Sequence, residues 1–497
     1  MRTSRNPFDN CIYAVLAVIA AAMLQPRVLT AQHPENYFQP ADMKRDLVWL
    51  QRKVLLYHPA CRDSIRYDSV NAAFETAFYE AEKPLQELPF LRLLRKTLNS
   101  LRCGHSTAIP SRSFYRYFEN ARPKPLFPLQ VSWHDSLMQV RFNGSDDPAI
   151  KVGERITFIN QESVEELSSS MMEFLSSDGY HESFRRYHLS LNFPTYYLFL
   201  RGPYYYFQTN LEGAAGRKKV RTLSLRSYGK PVSMALPNRS NKVILSDHRD
   251  RDLSELRSNN SIACLRVSSF KGKTAWYKKA FERLSRGKYQ TLILDLRGNP
   301  GGNLFEANQL LSYLLQDTFS MKFIRRPGPF IFSGRSNLSL KDRMNMLIFR
   351  LLPSKKRSKG GQTFREGDLW CTRYHYRPAS LNAYKGKIIV MMDGGTFSSA
   401  SYVAAMLRKQ SRAILAGEES GGGAEGCNAI IVPTLTLPET RLRISLPLYH
   451  LDHEMGNVPF RGLLPEIRLP HPDPVMLLRG TDTETEWLIR QLRKADK

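Results

Sequence analysis

Two apolar runs, "TLILDL" at 291–296 and "KIIVMM" at 387–392, each pass through a glycine-rich loop into a helical pattern, and this pairing limits the fold more than any other feature of the 497 residues. The first continues as "RGNPGGN" and "LFEANQLLSYLLQ", the second as "DGGTFSS" and "ASYVAAML". A short run that is apolar at nearly every position suits a strand covered on both faces. Helices recurring between such strands cover a sheet from its two sides, so the expected class is α/β. "IACLRVSSF" before "AWYKKAFERL", and "RAILAGEESGGG" after the second unit, extend the pattern from about 255 to 475.

The chain ahead of this domain reads differently. Between 32 and 115, "MKRDLVWLQRKVLLYH" and "LQELPFLRLLRKTLNSL" place apolar residues three and four apart, as helices do. From 120 to 215, short alternating runs take over, ending in "IKVGERITFINQESVEELSSSMMEFL". That glycine turn, strand and helix resemble the carboxylate-binding half of a PDZ-like domain; any small α+β module is the alternative. Residues 317–384, rich in Pro and Arg, read as an irregular insertion.

The first 31 residues carry Arg2 and Arg5, the apolar stretch "CIYAVLAVIAAAML" and small residues near Ala31, the layout of a secretory signal peptide. An uncleaved anchor is the other reading. Export to the periplasm or cell envelope is the expectation. The formal net charge is +26, and cleavage lowers it to +24 because residues 1–31 hold three arginines and one aspartate. Such a charge favours anionic partners. Nucleic acid is excluded as a partner by export, and the one dense basic run, "PSKKRSKGGQTFR" at 353–365, reads as a solvated loop or a contact with an anionic envelope surface. Five cysteines follow residue 31, an odd and widely spaced set with no CxxC, so neither a disulfide framework nor a zinc site is expected.

Glycines between a buried strand and a helix allow close backbone approach, and the N–H groups that open the helix attract negative charge. The GxxxxGK[ST] phosphate-loop pattern is missing at 297–303, so an oxyanion site fits better. Four hydroxyls, Thr396, Ser398, Ser399 and Ser401, open the second helix. Hydroxyls there are ordinarily N-caps. Facing the glycine loop of a neighbouring unit, one of them becomes a candidate nucleophile for acyl transfer. The stretch is not a GxSxG elbow.

"LILDLRGNPGG", then "GGTFSSAS" and "ILAGEESGGG", resemble the tail-specific (C-terminal processing) serine protease family, whose catalytic core is a crotonase-like (ClpP/crotonase) α/β spiral. "YHP" and "CGHS" in the helical opening resemble exported members from Bacteroidetes-type bacteria. The resemblance implies Ser398 as nucleophile, with oxyanion donors at Ser399 and at Gly301 or Gly302. Members of the Ser/Lys type carry a lysine 25 residues beyond the nucleophile; here that position is Gly423, and no lysine occurs from 410 to 493. The tricorn-like branch uses an upstream histidine instead, which points to His105. That branch has serine before the histidine where this chain has Gly104, and the third residue stays open among Ser106, Glu419 and Glu454.

These observations predict an exported serine peptidase acting on peptide or protein substrates without a metal or organic cofactor. An inactive peptide-binding envelope protein of the same fold is the rival. An acyl-CoA enzyme of the crotonase fold conflicts with the leader. Oligomeric state is not encoded in any motif.

Overall fold

The computed structural model describes residues 37–134, 137–213, 216–226, 242–248, 250–256, 259–272, 275–287, 289–326, 361–456, 458 and 460–495. The expected leader and residues 353–360 of the basic run lie outside them. Among the described residues no helix is long and apolar enough to cross a membrane.

The chain opens with helices α1 (Pro40–Tyr57), α2 (Ser64–Glu80) and α3 (Glu87–Asn99). Met43, Leu47, Leu50 and Val54 line the inner face of α1 at the spacing of helical turns. Strand β1 (Thr107–Ile109) and helix α4 (Arg112–Asn120), capped by the Ser111 hydroxyl, complete this region.

The middle module holds β2 (Leu129–His134), β3 (Leu137–Asn143), β4 (Arg155–Ile159), β5 (Glu162–Ser163), α5 (Val164–Met172), α6 (Ser183–Arg201), β6 (Tyr206–Glu212) and β7 (Lys218–Ser224). Its antiparallel sheet runs β2-β3-β4-β6-β7 over a core that includes Phe127, Val131, Phe193 and Phe207. Ser163 and Glu166 cap α5 reciprocally. The sheet extends to Ser224, past the boundary expected from the sequence.

The remaining elements are β8 (Lys242–His248), β9 (Arg251–Leu256), β10 (Asn259–Val267), α7 (Ala275–Arg286), β11 (Thr291–Asp295), α8 (Leu304–Leu314), β12 (Phe319–Arg325), β13 (Gly361–Glu366), β14 (Leu369–Tyr376), β15 (Lys387–Met392), α9 (Ser399–Lys409), β16 (Ala413–Gly417), β17 (Gly426–Ala429), β18 (Thr434–Thr436), β19 (Arg443–Ser445), β20 (Tyr449–Asp452), β21 (Ile467–Arg468), α10 (Pro474–Leu478) and α11 (Thr483–Ala495). A seven-stranded sheet in the order β21-β16-β15-β11-β10-β9-β8 is parallel from β10 to β21. Leu292, Leu294, Ile388, Val390 and Met392 face the core under α7, α8 and α9, while Ile293, Ile389 and Met391 face Leu488 and Ile489 of α11. Both faces are covered, which is why these strands read as unbroken apolar runs. The fold is thus mixed α/β.

One expectation is corrected. Residues 319–325 and 361–376 are not irregular: they form β12, β13 and β14 of an antiparallel sheet, β13-β14-β12-β20-β17. Their half-buried faces keep Lys322 and Arg373 among apolar residues, which masks the alternation in the sequence.

A buried ion cluster fastens α11 under the sheet. Arg297 bonds Asp295 (2.9 Å) on its own turn and Asp482 (2.7 Å) and Glu484 (2.5 Å) at the start of α11. Burial alone pushes Asp482 up, but the guanidinium outweighs it and holds the carboxyl down at about 2. Arg297→Met strands these carboxylates, so urea denaturation should show a loss of about 3–5 kcal/mol.

Candidate active site

Because β11 and β15 are adjacent and parallel, with Asp295 opposite Met391, their loops leave the same end of the sheet side by side. Phe397 N–H donates to Asn299 O (2.9 Å), and the Asn299 side chain donates to Val267 O (2.8 Å). The glycine loop and the hydroxyl-rich loop are thereby one framework.

Within it the four hydroxyls separate. Thr396 Oγ1 donates to Leu296 O (2.9 Å), Ser399 Oγ to Gly302 O (2.9 Å) and Ser401 Oγ to Thr396 O (2.8 Å). Those three are structural. Ser398 stands at the N-cap of α9 but makes no capping bond, and its backbone is held at φ 54°, ψ −121°. A side chain rarely tolerates such a conformation, so Ser398 is held under backbone strain. Its hydroxyl lies within hydrogen-bonding reach of the buried Cys427 thiol.

Gly301, at φ 94°, approaches so closely that a Cβ would lie 2.7 Å from Ser398 Cβ and 2.9 Å from Ser399 N. Its own N–H is committed to Asn299 Oδ1 (2.8 Å), so in this arrangement Gly301 is not a free donor. Among the described residues the N–H groups of Gly302 and Ser399 donate to no acceptor. Gly302 is fixed separately, since a Cβ there would meet Phe270 O at 2.3 Å. Gly301→Ala is expected to lower kcat by about 10²- to 10³-fold by moving the loop off Ser398; unchanged kcat would refute that.

His105 reaches the same place from the N-terminal region. Strand β1 pairs with β19, Thr107 opposite Ser445, and this pairing carries the preceding loop to α9. The His105 ring stacks on Phe397 at 4.5 Å, and Phe397 stacks on Phe184 at 4.3 Å. A Cβ at residue 104 would sit 2.8 Å from the Phe397 ring, so Gly104 stands where the tricorn-like pattern has serine. No hydrogen bond joins His105 to Ser398 in this structure; the imidazole is placed against Phe397, the residue before Ser398. Burial holds its pKa down at about 4, so it is neutral at neutral pH.

A carboxylate that sequence reasoning did not single out lies near His105. Asp178, buried in the loop between α5 and α6, accepts from Gly104 N–H (2.8 Å) and from the Gly423 backbone. Its Oδ2 and His105 Nδ1 are both buried with no hydrogen-bond partner. One carboxylate oxygen of Asp178, one His105 nitrogen and Cys103 Sγ lie within 4.8 Å of one another. Burial pushes Asp178 up to about 7, against the pull of the two backbone donors. Gly423 is the position of the missing dyad lysine, so a carboxylate stands beside the place a lysine would leave from.

The residues expected in that role are engaged elsewhere. Ser106 pairs with His58 Nε2 (2.9 Å), whose Nδ1 accepts from Ala60 N–H, which makes His58 structural. Glu419 grips Arg461 (2.7 Å), and Glu454 binds Ser320 (2.7 Å) and Arg373. Lys409 ends α9, roughly 16 Å along the helix from Ser398 at 1.5 Å per residue. The cysteines at 61, 103, 264, 371 and 427 are all buried, and no disulfide joins any two of them.

A cavity of about 650 Å³ lies beside Tyr187, Asp393 and Glu418, and neither Ser398 nor His105 lines it. His134, Glu418 and His471 meet at its edge and form a second group able to hold a metal.

Residues 261–450 match the family model of peptidase family S41. No curated protein matches the sequence. In three dimensions the chain is similar to mature CPAF complexed with lactacystin, at 14% identity over 91% of this chain and 97% of that one, with a TM-score of 0.63. It is also similar to mature CPAF alone, at 14% identity over 90% and 96%, with a TM-score of 0.62. At such identity the likeness concerns the fold. The paired strand–loop–helix units and the serine between them lie inside the matched stretch, so residues 261–450 are similar to a serine peptidase domain of family S41.

Proposed function

We propose that the protein is an exported peptidase that cleaves peptide bonds through an acyl-enzyme on Ser398, with His105 as base and Asp178 as the residue that orients it. The observation that carries the reading is the singular position of the Ser398 hydroxyl: its three neighbours are tied to backbone carbonyls, while it sits on a strained turn next to the ring that stacks on His105. Ser398 Oγ attacks the substrate carbonyl as His105 takes its proton. Asp178 Oδ2 accepts from Nδ1–H and steadies the imidazolium. The oxyanion is received by the Ser399 and Gly302 N–H groups. His105 then protonates the leaving amine, and water, deprotonated by His105, releases the acid.

The parallel layer with crossing helices supports a crotonase-like spiral for the catalytic domain, and the strand–helix arrangement of β4, β5 and α5 supports a PDZ-like middle module. Periplasmic or envelope localisation is supported by the basic and apolar character of residues 1–31. A fluorophosphonate should label the active protein at Ser398 alone, and peptide mapping checks it. Label on Ser401, or none on protein that turns over a denatured substrate, defeats the assignment. Absence of both label and turnover on every substrate favours the peptide-binding alternative. N-terminal sequencing of the secreted form should begin near Gln32.

A further inference from the structure

We propose that His134, Glu418 and His471 form a binding site for one divalent cation of the zinc class, which pins the middle module to the catalytic sheet. The three come from separate parts of the chain. His134 ends β2 of the middle module, Glu418 directly follows β16, and His471 lies between β21 and α10. Both imidazoles converge on one carboxylate oxygen: His471 Nδ1 is 3.0 Å and His134 Nδ1 is 3.9 Å from Glu418 Oε1. The donor atoms of the three residues all lie within 4.8 Å of one another. A tetrahedral zinc with ligands at about 2.0–2.2 Å separates its donors by roughly 3.3–3.5 Å, so small side-chain movements close the set around an ion.

The donor chemistry narrows the choice. Two imidazoles and one carboxylate suit Zn²⁺, Co²⁺ or Ni²⁺, whereas Mg²⁺ and Ca²⁺ prefer oxygen alone. The supports are firm on all three sides. Glu418 N–H donates to Met392 O (3.0 Å), His471 is flanked by Pro470 and Pro472, and the Trp133 N–H beside His134 donates to Ser190 Oγ (2.8 Å). All three ligands line the 650 Å³ cavity, which leaves a fourth position open toward it for water. The other three-residue group, Cys103, His105 and Asp178, is a poorer host, because burial pushes the Cys103 thiol up to about 12 and keeps it protonated. The site is separate from Ser398, and the proposal does not rest on the peptidase mechanism.

The test titrates the full chain, stripped with a chelator, with ZnCl₂ in a calorimeter, and follows thermal unfolding with and without the ion. The parent is expected to bind one Zn²⁺ and to melt at a higher temperature with it. The double variant His134→Ala/His471→Ala should lose the thermal shift and bind more than about 10-fold more weakly. Its metal-free melting temperature shows whether it folds; should it unfold early, Glu418→Gln carries the same comparison. Absence of saturable binding by the parent overturns the proposal. So does unchanged binding in the variants, or binding abolished by His105→Ala, which would place the ion at Cys103, His105 and Asp178.

Discussion

Ser398→Ala is expected to lower kcat by roughly 10⁶-fold, the scale on which a serine hydrolase loses turnover when its nucleophile is removed. Substrate binding should survive, so KM changes little by comparison. The fold should survive as well, because the hydroxyl makes no capping bond to α9. Ser398→Gly sharpens the test. At φ 54°, ψ −121° a side chain is strained and glycine is not, so the glycine variant should be equally inactive yet unfold at higher urea, by about 1–3 kcal/mol. Parent-level turnover in either variant would remove Ser398 from the reaction. A glycine variant less stable than the parent would contradict the strain.

The second large effect concerns the base. Burial holds His105 down at about 4 and pushes Asp178 up to about 7, so the ionisation in the neutral range belongs to Asp178. Between those values the imidazole is neutral but the carboxyl is protonated and cannot accept the Nδ1 proton. The productive form, neutral His105 beside ionised Asp178, is fully populated only above about 7. Hence kcat/KM should climb about tenfold per pH unit below that value and level off above it. Asp178→Asn should abolish this limb between pH 5 and 8 and lower the plateau by about 10⁴-fold. His105→Ala should cost about as much as Ser398→Ala, since the two act as a unit. Lys409→Ala should leave the profile intact, because its ammonium donates to His453 O (3.2 Å) at the far end of α9. A limb that persists in Asp178→Asn assigns the ionisation to His105 and ends the positioning role of Asp178.

A sequence-based expectation puts the same limb at pH 6–7.5 but attributes it to His105, from the unperturbed pKa near 6.5. The structure instead assigns the neutral-range ionisation to Asp178. Burial is the cause: an imidazole packed on Phe397 is penalised for carrying charge, and so is a carboxylate enclosed between Gly104 and Gly423, which moves the two pKa values in opposite directions.

The features that sequence alone determined are local ones. Unbroken apolar runs, glycine loops and helical periodicity each lie within a dozen residues, so β11, β15 and the helices after them are legible without knowing what they touch. Ser398 is legible for the same reason, since strand, loop and helix N-terminus are contiguous around it. Tertiary structure alone decided which carboxylate faces His105. Glu419 and Glu454 are drawn into ion pairs with Arg461 and Arg373, and Asp178, from a segment without any motif, is brought to Gly104 by the packing of the middle module. It also decided that the Gly301 N–H turns back to Asn299 while that of Gly302 meets no acceptor among the described residues, and that His134 meets Glu418 and His471. Those outcomes depend on contacts between residues far apart in the chain, and such contacts leave no periodic trace in the sequence because each is set by the packing of whole elements against one another.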